Sequence, residues 1–299
     1  MAMVWRYLEP ALVERLNHLQ LSARSVVEGS TIGMHKSPMK GASVEFRQHR
    51  AYVVGDEPRR LDWRVLARTD RPYIKEYDEE TNLRCMVLLD ASGSMGYGSE
   101  GHGRKFDAAA KITASLAYLM LRQTESVGLA TFNRKIDDWV APQGSSLQLS
   151  NIIDRLERSD PQGESHLANI LHEAAERIDR RSLIVVISDF FVPTTQLREG
   201  FAHLRHDRHE VVALQVLDPA EENFPFATWV HFRGLEGEPP MLIEPATLRQ
   251  MYLDNLNAHR KQLTEDCRSL NVAFHTYRTD RPLGDWLTQL LHRRALRGA

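Results

Sequence analysis

From Arg84 to its end, the chain alternates short apolar runs with amphipathic stretches. Cys85–Asp90 is an apolar, β-prone run that ends in a carboxylate. Leu183–Ser188 is a continuous β-branched run, the pattern of a strand covered on both faces. Ser126–Phe132, Glu210–Leu217 and Val272–Tyr277 add further strands. Between them, Lys105–Arg122 places Phe106, Ala109, Ile112, Leu116 and Leu119 on one helical face. Leu147–Leu156, Leu167–Arg180, Thr194–His206, Ala246–Leu270 and Leu283–Arg297 also read as helices. Ile136–Val140 follows Ser126–Phe132 across the tight Asn133-Arg134-Lys135 connection, which predicts an antiparallel hairpin at a sheet edge. Residues 219–244 carry four prolines and two short apolar pieces, Trp229–Phe232 and Met241–Ile243, and read as an excursion with a small hairpin. The alternation predicts an α/β domain over residues 82–299, a doubly wound, mostly parallel sheet with helices on both faces.

Residues 1–81 follow another pattern. Residues 8–21 repeat leucine and valine at helical spacing and predict a helix. Residues 29–43, rich in Gly, Ser, Lys and Met, read as a loop or flexible arm. Residues 44–54 are strand-like, Gly55–Pro58 a turn, Leu61–Arg68 a short helix and Pro72–Tyr77 strand-like again. Arginines 47, 50, 59, 60, 64, 68 and 71 are interleaved here with Asp56, Glu57, Asp62 and Asp70. Such a mixture makes an ion-paired, solvated face. It also makes a docking surface for a partner's acidic or phosphate group, with Arg47, Arg60, Asp62, Trp63 and Arg64 as the candidates.

The chemistry concentrates at strand ends. The first strand delivers Asp90, and Ser92 and Ser94 follow at alternating positions. The buried run Leu183–Ser188 is followed by Asp189, and a polar loop before the helix at Leu167 carries Ser165. In an open α/β sheet, such loops meet beyond the carboxyl ends of the strands. Two carboxylates and three hydroxyls form a hard oxygen set suited to Mg2+, or to Mn2+ or Ca2+, with a position left for a partner's carboxylate.

Composition narrows the setting. The chain has 299 residues, 42% hydrophobic and 26% charged, with a formal net charge of −2. That is enough apolar material for a core, and no global field draws it to nucleic acid or to an anionic membrane. Two cysteines, Cys85 and Cys267, give no disulfide framework, so a cytoplasmic location is expected. No apolar run approaches the ~20 residues of a spanning helix, and the first residues lack a signal-peptide core, so no direct membrane insertion is expected.

Asp90-x-Ser92-x-Ser94, a later hydroxyl and then Asp189 resemble the metal-ion-dependent adhesion site of von Willebrand factor A domains. The preceding block is also distinctive: Glu45-Phe46-Arg47, Tyr52–Asp56, Arg60–Arg64, Ala67-Arg68-Thr69 and Lys75-Glu76-Tyr77. It resembles the signature of the domain-of-unknown-function 58 family, in which it precedes a von Willebrand factor A-like domain. The resemblance spans about residues 40–290 and implies a non-enzymatic, metal-dependent interaction module with a MoxR-type AAA+ ATPase as partner. It departs from the family at Ser165, where Thr is usual, and in lacking the N-terminal membrane helices of many relatives.

Other chemistries use the same sheet edge. Gly96-x-Gly98-x-x-Gly101 has dinucleotide-loop spacing, but its first glycine comes six residues after the strand end at Asp90. Gly98 and Gly103 have P-loop spacing, but Arg104-Lys105-Phe106 stands where Lys and Ser/Thr are required. A metal-dependent hydrolase would need a base. His166 is the histidine of the three loops, and it reads as a surface or helix-capping residue. His203, His206 and His209 read as a solvated cluster at a helix end, and Asp218 as a turn residue.

Overall fold

A computed structural model describes residues 6–17, 44–52, 61–79 and 83–297, with the side chains of all but 44–50, 75–79 and 292–297. The described residues fall into two compact units, 44–79 in one and 6–17 with 83–297 in the other. The expected arm at 29–43, the turn at Gly55–Pro58, Arg60 and the end of the first helix lie outside the described residues.

In the larger unit, helical residues 10–17 form α1. Then come β3 (Arg84–Asp90), a 3-10 turn (Gly93–Gly96), α3 (Lys105–Arg122), β4 (Ser126–Phe132), β5 (Ile136–Gln143), α4 (Gln148–Arg158) and α5 (Leu167–Arg177). The chain continues through β6 (Leu183–Ser188), α6 (Thr194–His206), β7 (Glu210–Leu217), α7 (Pro219–Asn223), β8 (Val230–Phe232) and β9 (Met241–Ile243). It closes with α8 (Pro245–Ser269), β10 (Ala273–Arg278) and α9 (Leu283–Arg297). The smaller unit is β1 (Val44–Ala51) paired antiparallel with β2 (Tyr73–Glu79), with α2 (Trp63–Thr69) between them.

The main sheet has six strands in the order β10-β7-β6-β3-β4-β5. All neighbours are parallel except β4 and β5. This is the doubly wound architecture expected, with the antiparallel hairpin at its edge. Pro142 lies in the edge strand β5, where a missing N–H costs the ladder little. Side chains of β3 alternate between two cores, as strand geometry requires. Cys85, Val87 and Leu89 join a cluster with α1, α3, α4 and α9, while Met86 and Leu88 join α5, α6 and α8 on the other face. Strand order reverses between β3 and β6, whose neighbours lead to opposite edges of the sheet. A crevice for ligands is expected at that reversal.

Two details differ from the pattern-based expectation. The excursion begins with a short helix, α7, built on a capping box: Asp218 accepts the Ala220 N–H, and Glu221 accepts the Asp218 N–H. The signal was present as Asp218-Pro219-Ala220-Glu221, with Pro in the first turn. His209 is buried rather than solvated. Arg208 takes a left-handed conformation (φ 64°), which turns the chain so that His209 Nδ1 accepts the Ser182 N–H at 3.2 Å. Burial holds its imidazole below its ordinary pKa.

No helix among the described residues is long and apolar enough to cross a membrane. Cys85 and Cys267 are both buried and form no disulfide, and burial pushes the Cys267 thiol up to about 12. Neither thiol should react with an aromatic disulfide reagent in the native protein, and both should react in urea. A native thiol titre would show that the two cores open more readily than this packing allows.

Candidate functional site

β3 and β6 are both fully buried along their apolar lengths, and Leu89 pairs with Ile187 in register. Their carboxyl ends therefore stop side by side, with Asp90 ending one strand and Asp189 immediately following the other. Asp90 is wholly buried. Its Oδ1 accepts the Ser92 N–H at 2.9 Å, and its Oδ2 accepts the hydroxyls of Ser165 (3.0 Å) and Ser188 (2.7 Å). Burial above all, and then the charge of Asp189, push the Asp90 carboxyl up to about 6, against hydrogen bonds that favour its charged form.

The loops are laced together through their backbones. Gly93 N–H donates to Gly163 O, Gln162 N–H to Ala91 O, and Ala91 N–H to Phe132 O. Ser92 and Ser94 present their hydroxyl oxygens 3.2 Å apart. Four of the five expected residues, Asp90, Ser92, Ser94 and Ser165, are thus joined by hydrogen bonds.

Asp189 reaches the same edge but is already partnered. Its Oδ1 accepts the Phe191 N–H at 3.2 Å, and its Oδ2 accepts from Lys105 Nζ at 2.8 Å. Lys105 is fully buried at the start of α3 and also donates to Glu221 Oε1 at 2.6 Å. Burial alone would lower its pKa, but Asp189 and Glu221 outweigh burial and hold it above its ordinary range. The Phe191 ring covers the ammonium at 5.1 Å. The loop after β6 is braced further. Phe190 adopts φ 58°, unusual for an aromatic residue, while its N–H donates to Ser188 Oγ and its carbonyl meets His259 Nε2 at 2.9 Å.

A second unexpected residue enters from the excursion. Glu236 Oε1 accepts the Ser94 N–H and its Oε2 accepts the Ser165 N–H, both at 3.2 Å. Sequence reasoning missed both Lys105 and Glu236. Lys105 had a signal: it lies four residues before Ala109 on the apolar stripe of its helix, where a solvated lysine is out of place. Glu236 had none, because nothing local marks which residue of a loop reaches a site 71 and 142 residues away.

A cavity of about 490 Å3 opens beside these groups, lined among others by Ser94, Ser165, Asp189, Phe191, Glu236 and Tyr252. Among the described residues, no group of three or more His, Cys, Asp or Glu side chains is arranged to hold a metal. The available donors are therefore mainly hydroxyls backed by Asp90. They still fit a small hard ion: two oxygens at ~2.1 Å from Mg2+ on adjacent octahedral positions stand about 3 Å apart, close to the Ser92–Ser94 separation.

The competing chemistries find less support. His166 sits at the start of α5, with its side chain 44% exposed and Nε2 3.7 Å from Glu164. Ser94's one side-chain hydrogen bond among the described residues is to Ser92, so no base is poised on it. In the glycine loop, Ser99 N–H is taken by Asp218 Oδ2, an acceptor where a phosphate would need donors. His203 Nδ1 lies 2.9 Å from His172 Nδ1, and its Nε2 lies 3.8 Å from Asp207 Oδ2. In the smaller unit, Asp62 is buried and caps α2, its Oδ1 accepting the N–H groups of Arg64 and Val65. Trp63 and Arg64 are exposed on the first turn of α2, and Arg47 is placed in β1.

A model of the family described as "Protein of unknown function DUF58" matches residues 48–262. The chain is similar to an uncharacterized protein of Mycobacterium tuberculosis, 28% identical over 289 residues, covering 95% of this chain and 89% of that relative. Among solved structures it is similar to the conserved hypothetical protein BatB from Bacteroides thetaiotaomicron, with 13% identity and a TM-score of 0.48, over 72% of this chain and 99% of that one. It is also similar to the vWF domain of the type V pili tip protein Mfa5 from Porphyromonas gingivalis, with 11% identity and a TM-score of 0.36, over 70% and 94% of the two chains.

Lys105→Met should be strongly destabilising, since it strands two buried carboxylates. A loss of roughly 3–5 kcal/mol in urea unfolding is expected at neutral pH. Without the ammonium, burial leaves the Glu221 carboxyl binding its proton more tightly folded than unfolded. The variant should therefore regain stability as pH falls toward the carboxylate range. A loss that is small, or that does not shrink on acidification, would contradict this role for Lys105.

Proposed function

Because the chain belongs to the DUF58 family and its α/β unit has the von Willebrand factor A-like fold, we propose that it is a non-enzymatic protein-interaction module. On this reading, Ser92, Ser94 and Ser165 hold a hard divalent ion, Mg2+ or a similar one, with Asp90 behind them. Asp189, committed to Lys105, adds negative charge at longer range. The ion supplies a positive centre on which a partner protein's carboxylate is captured. What carries the reading is the single network in which a buried carboxylate, Asp90, gathers one hydroxyl from the loop before α5, one from the end of β6 and an amide from its own turn.

The proposed partner is a MoxR-type AAA+ ATPase, as the family resemblance implies. Nucleic acid is not a proposed ligand at a formal net charge of −2, and a cytoplasmic site of action is part of the same proposal.

Titration of Mg2+ or Mn2+ into the full chain by calorimetry tests the metal. Wild type should give a saturable heat, Asp90→Ala should lose it, and Ser165→Ala should weaken it by about 10–100-fold. Equal heats in wild type and Asp90→Ala would sink the reading.

A further inference from the structure

Glu236 is placed in a way the interaction reading does not require. It is half-buried, whereas residues 233–235 and 237–242 around it are exposed. Each of its oxygens takes one backbone N–H, from Ser94 and from Ser165, the residues that carry two of the site's hydroxyls. The loop comes close because position 93 is glycine: a Cβ there would stand 1.9 Å from the Leu235 carbonyl oxygen. Gly237 at φ +106° turns the chain back, and Glu236 N–H donates to Glu238 Oε2 at 3.1 Å. The loop's shape thus aims one carboxylate inward.

Electrostatics make that placement unusual. Glu236 approaches an edge that already holds Asp90 and Asp189, and among the described residues it forms no ion pair. Lys105 is engaged by Asp189 and Glu221. Two neutral amides at 3.2 Å are modest compensation for a third carboxylate. The base of the excursion, by contrast, is well anchored. Phe224 packs on Phe226, Phe232 and Tyr252 with ring centroids 4.8–6.0 Å apart. The tip can therefore leave while the base stays.

We propose that Glu236 is a built-in ligand of the three-loop site, and that the partner this site takes is an acidic protein segment that replaces Glu236 there. The proposal rests on the reading of this site as a receptor for carboxylates. The incoming segment must present an Asp or Glu side chain on backbone slender enough to lie against Gly93, as the Leu235 carbonyl does. The segment and the excursion compete, so the protein binds its partner only in the state in which the tip has opened.

The probe is the acetylated, amidated peptide of residues 233–238, fluorescently labelled and followed by anisotropy in Mg2+ against the full chain. Glu236→Ala should bind it about tenfold tighter than wild type, the factor expected when the closed tip holds about nine-tenths of the population. The double variant Asp90→Ala/Glu236→Ala should lose the gain, and a peptide with Gln at the position of Glu236, its second glutamate (Glu238) kept, should not bind. Equal binding by wild type and Glu236→Ala, or no binding by Glu236→Ala at millimolar peptide, overturns the proposal. Separately, in EDTA, Glu236→Ala should shift the backbone amide resonances of Ser94 and Ser165. Unmoved resonances also overturn it. This second readout needs no metal, so loss of the calorimetric heat would remove the metal reading without deciding the position of Glu236.

Discussion

One ammonium steadies the edge on which everything else is built. Asp90, Asp189, Asp218 and Glu221 all gather near the carboxyl ends of β3, β6 and β7, and three of them are almost wholly out of water. In a low-dielectric setting such a group of like charges repels itself apart. Lys105, delivered by the first residue of α3, ties Asp189 to Glu221 and so joins the loop after β6 to the helix that opens the excursion. Asp218 is held differently, by the Ala220 and Ser99 amides, and Asp90 by hydroxyls and an amide. The acids at this edge are therefore not equivalent. Two share a cation, one is spent on a cap, and Asp90 is left facing the hydroxyl cluster with a raised proton affinity.

The fold was legible because its strands are extreme. Leu183–Ser188 could hardly be anything but a strand buried on both faces, and Lys105–Arg122 forms a helix with the bounds that its stripe marks. The site was legible to the extent that it is local. Asp90, Ser92 and Ser94 come from one turn, and Asp189 and Ser165 follow from the rule that loops at the carboxyl ends of parallel strands converge. What was not legible depends on how side chains choose partners across the fold. That Asp189 would be claimed by Lys105 follows from where α3 begins relative to β6, and no spacing in the sequence states it. The same holds for Glu236, which depends on the path of a loop with little secondary structure of its own. His209 was misjudged because its charged neighbours suggested solvent, while a single left-handed residue, Arg208, turned it inward.

The two compact units divide the sequence signals as well. The arginine-rich block that helped mark the family lies mostly in the smaller unit, and Asp62, one of its candidate docking residues, is spent on capping α2. Trp63 beside it is exposed, so the polar half of that signature supports a helix while the aromatic half faces outward. The candidate metal chemistry belongs wholly to the α/β unit.

Much of the site is written in main chain. The Gly93–Gly163 and Ala91–Gln162 links would survive any side-chain truncation, and the Ser92, Ser94 and Ser165 N–H donors stay in place even where truncating Asp90 or Glu236 removes their acceptors. An alanine scan of these loops would therefore report only the hydroxyl and carboxylate half of the apparatus and would score the amide half as silent. Deleting a single donor there requires changing the backbone itself, by proline or by an ester in place of the peptide bond. For a site of this kind, tolerance to substitution is no measure of how much the position contributes.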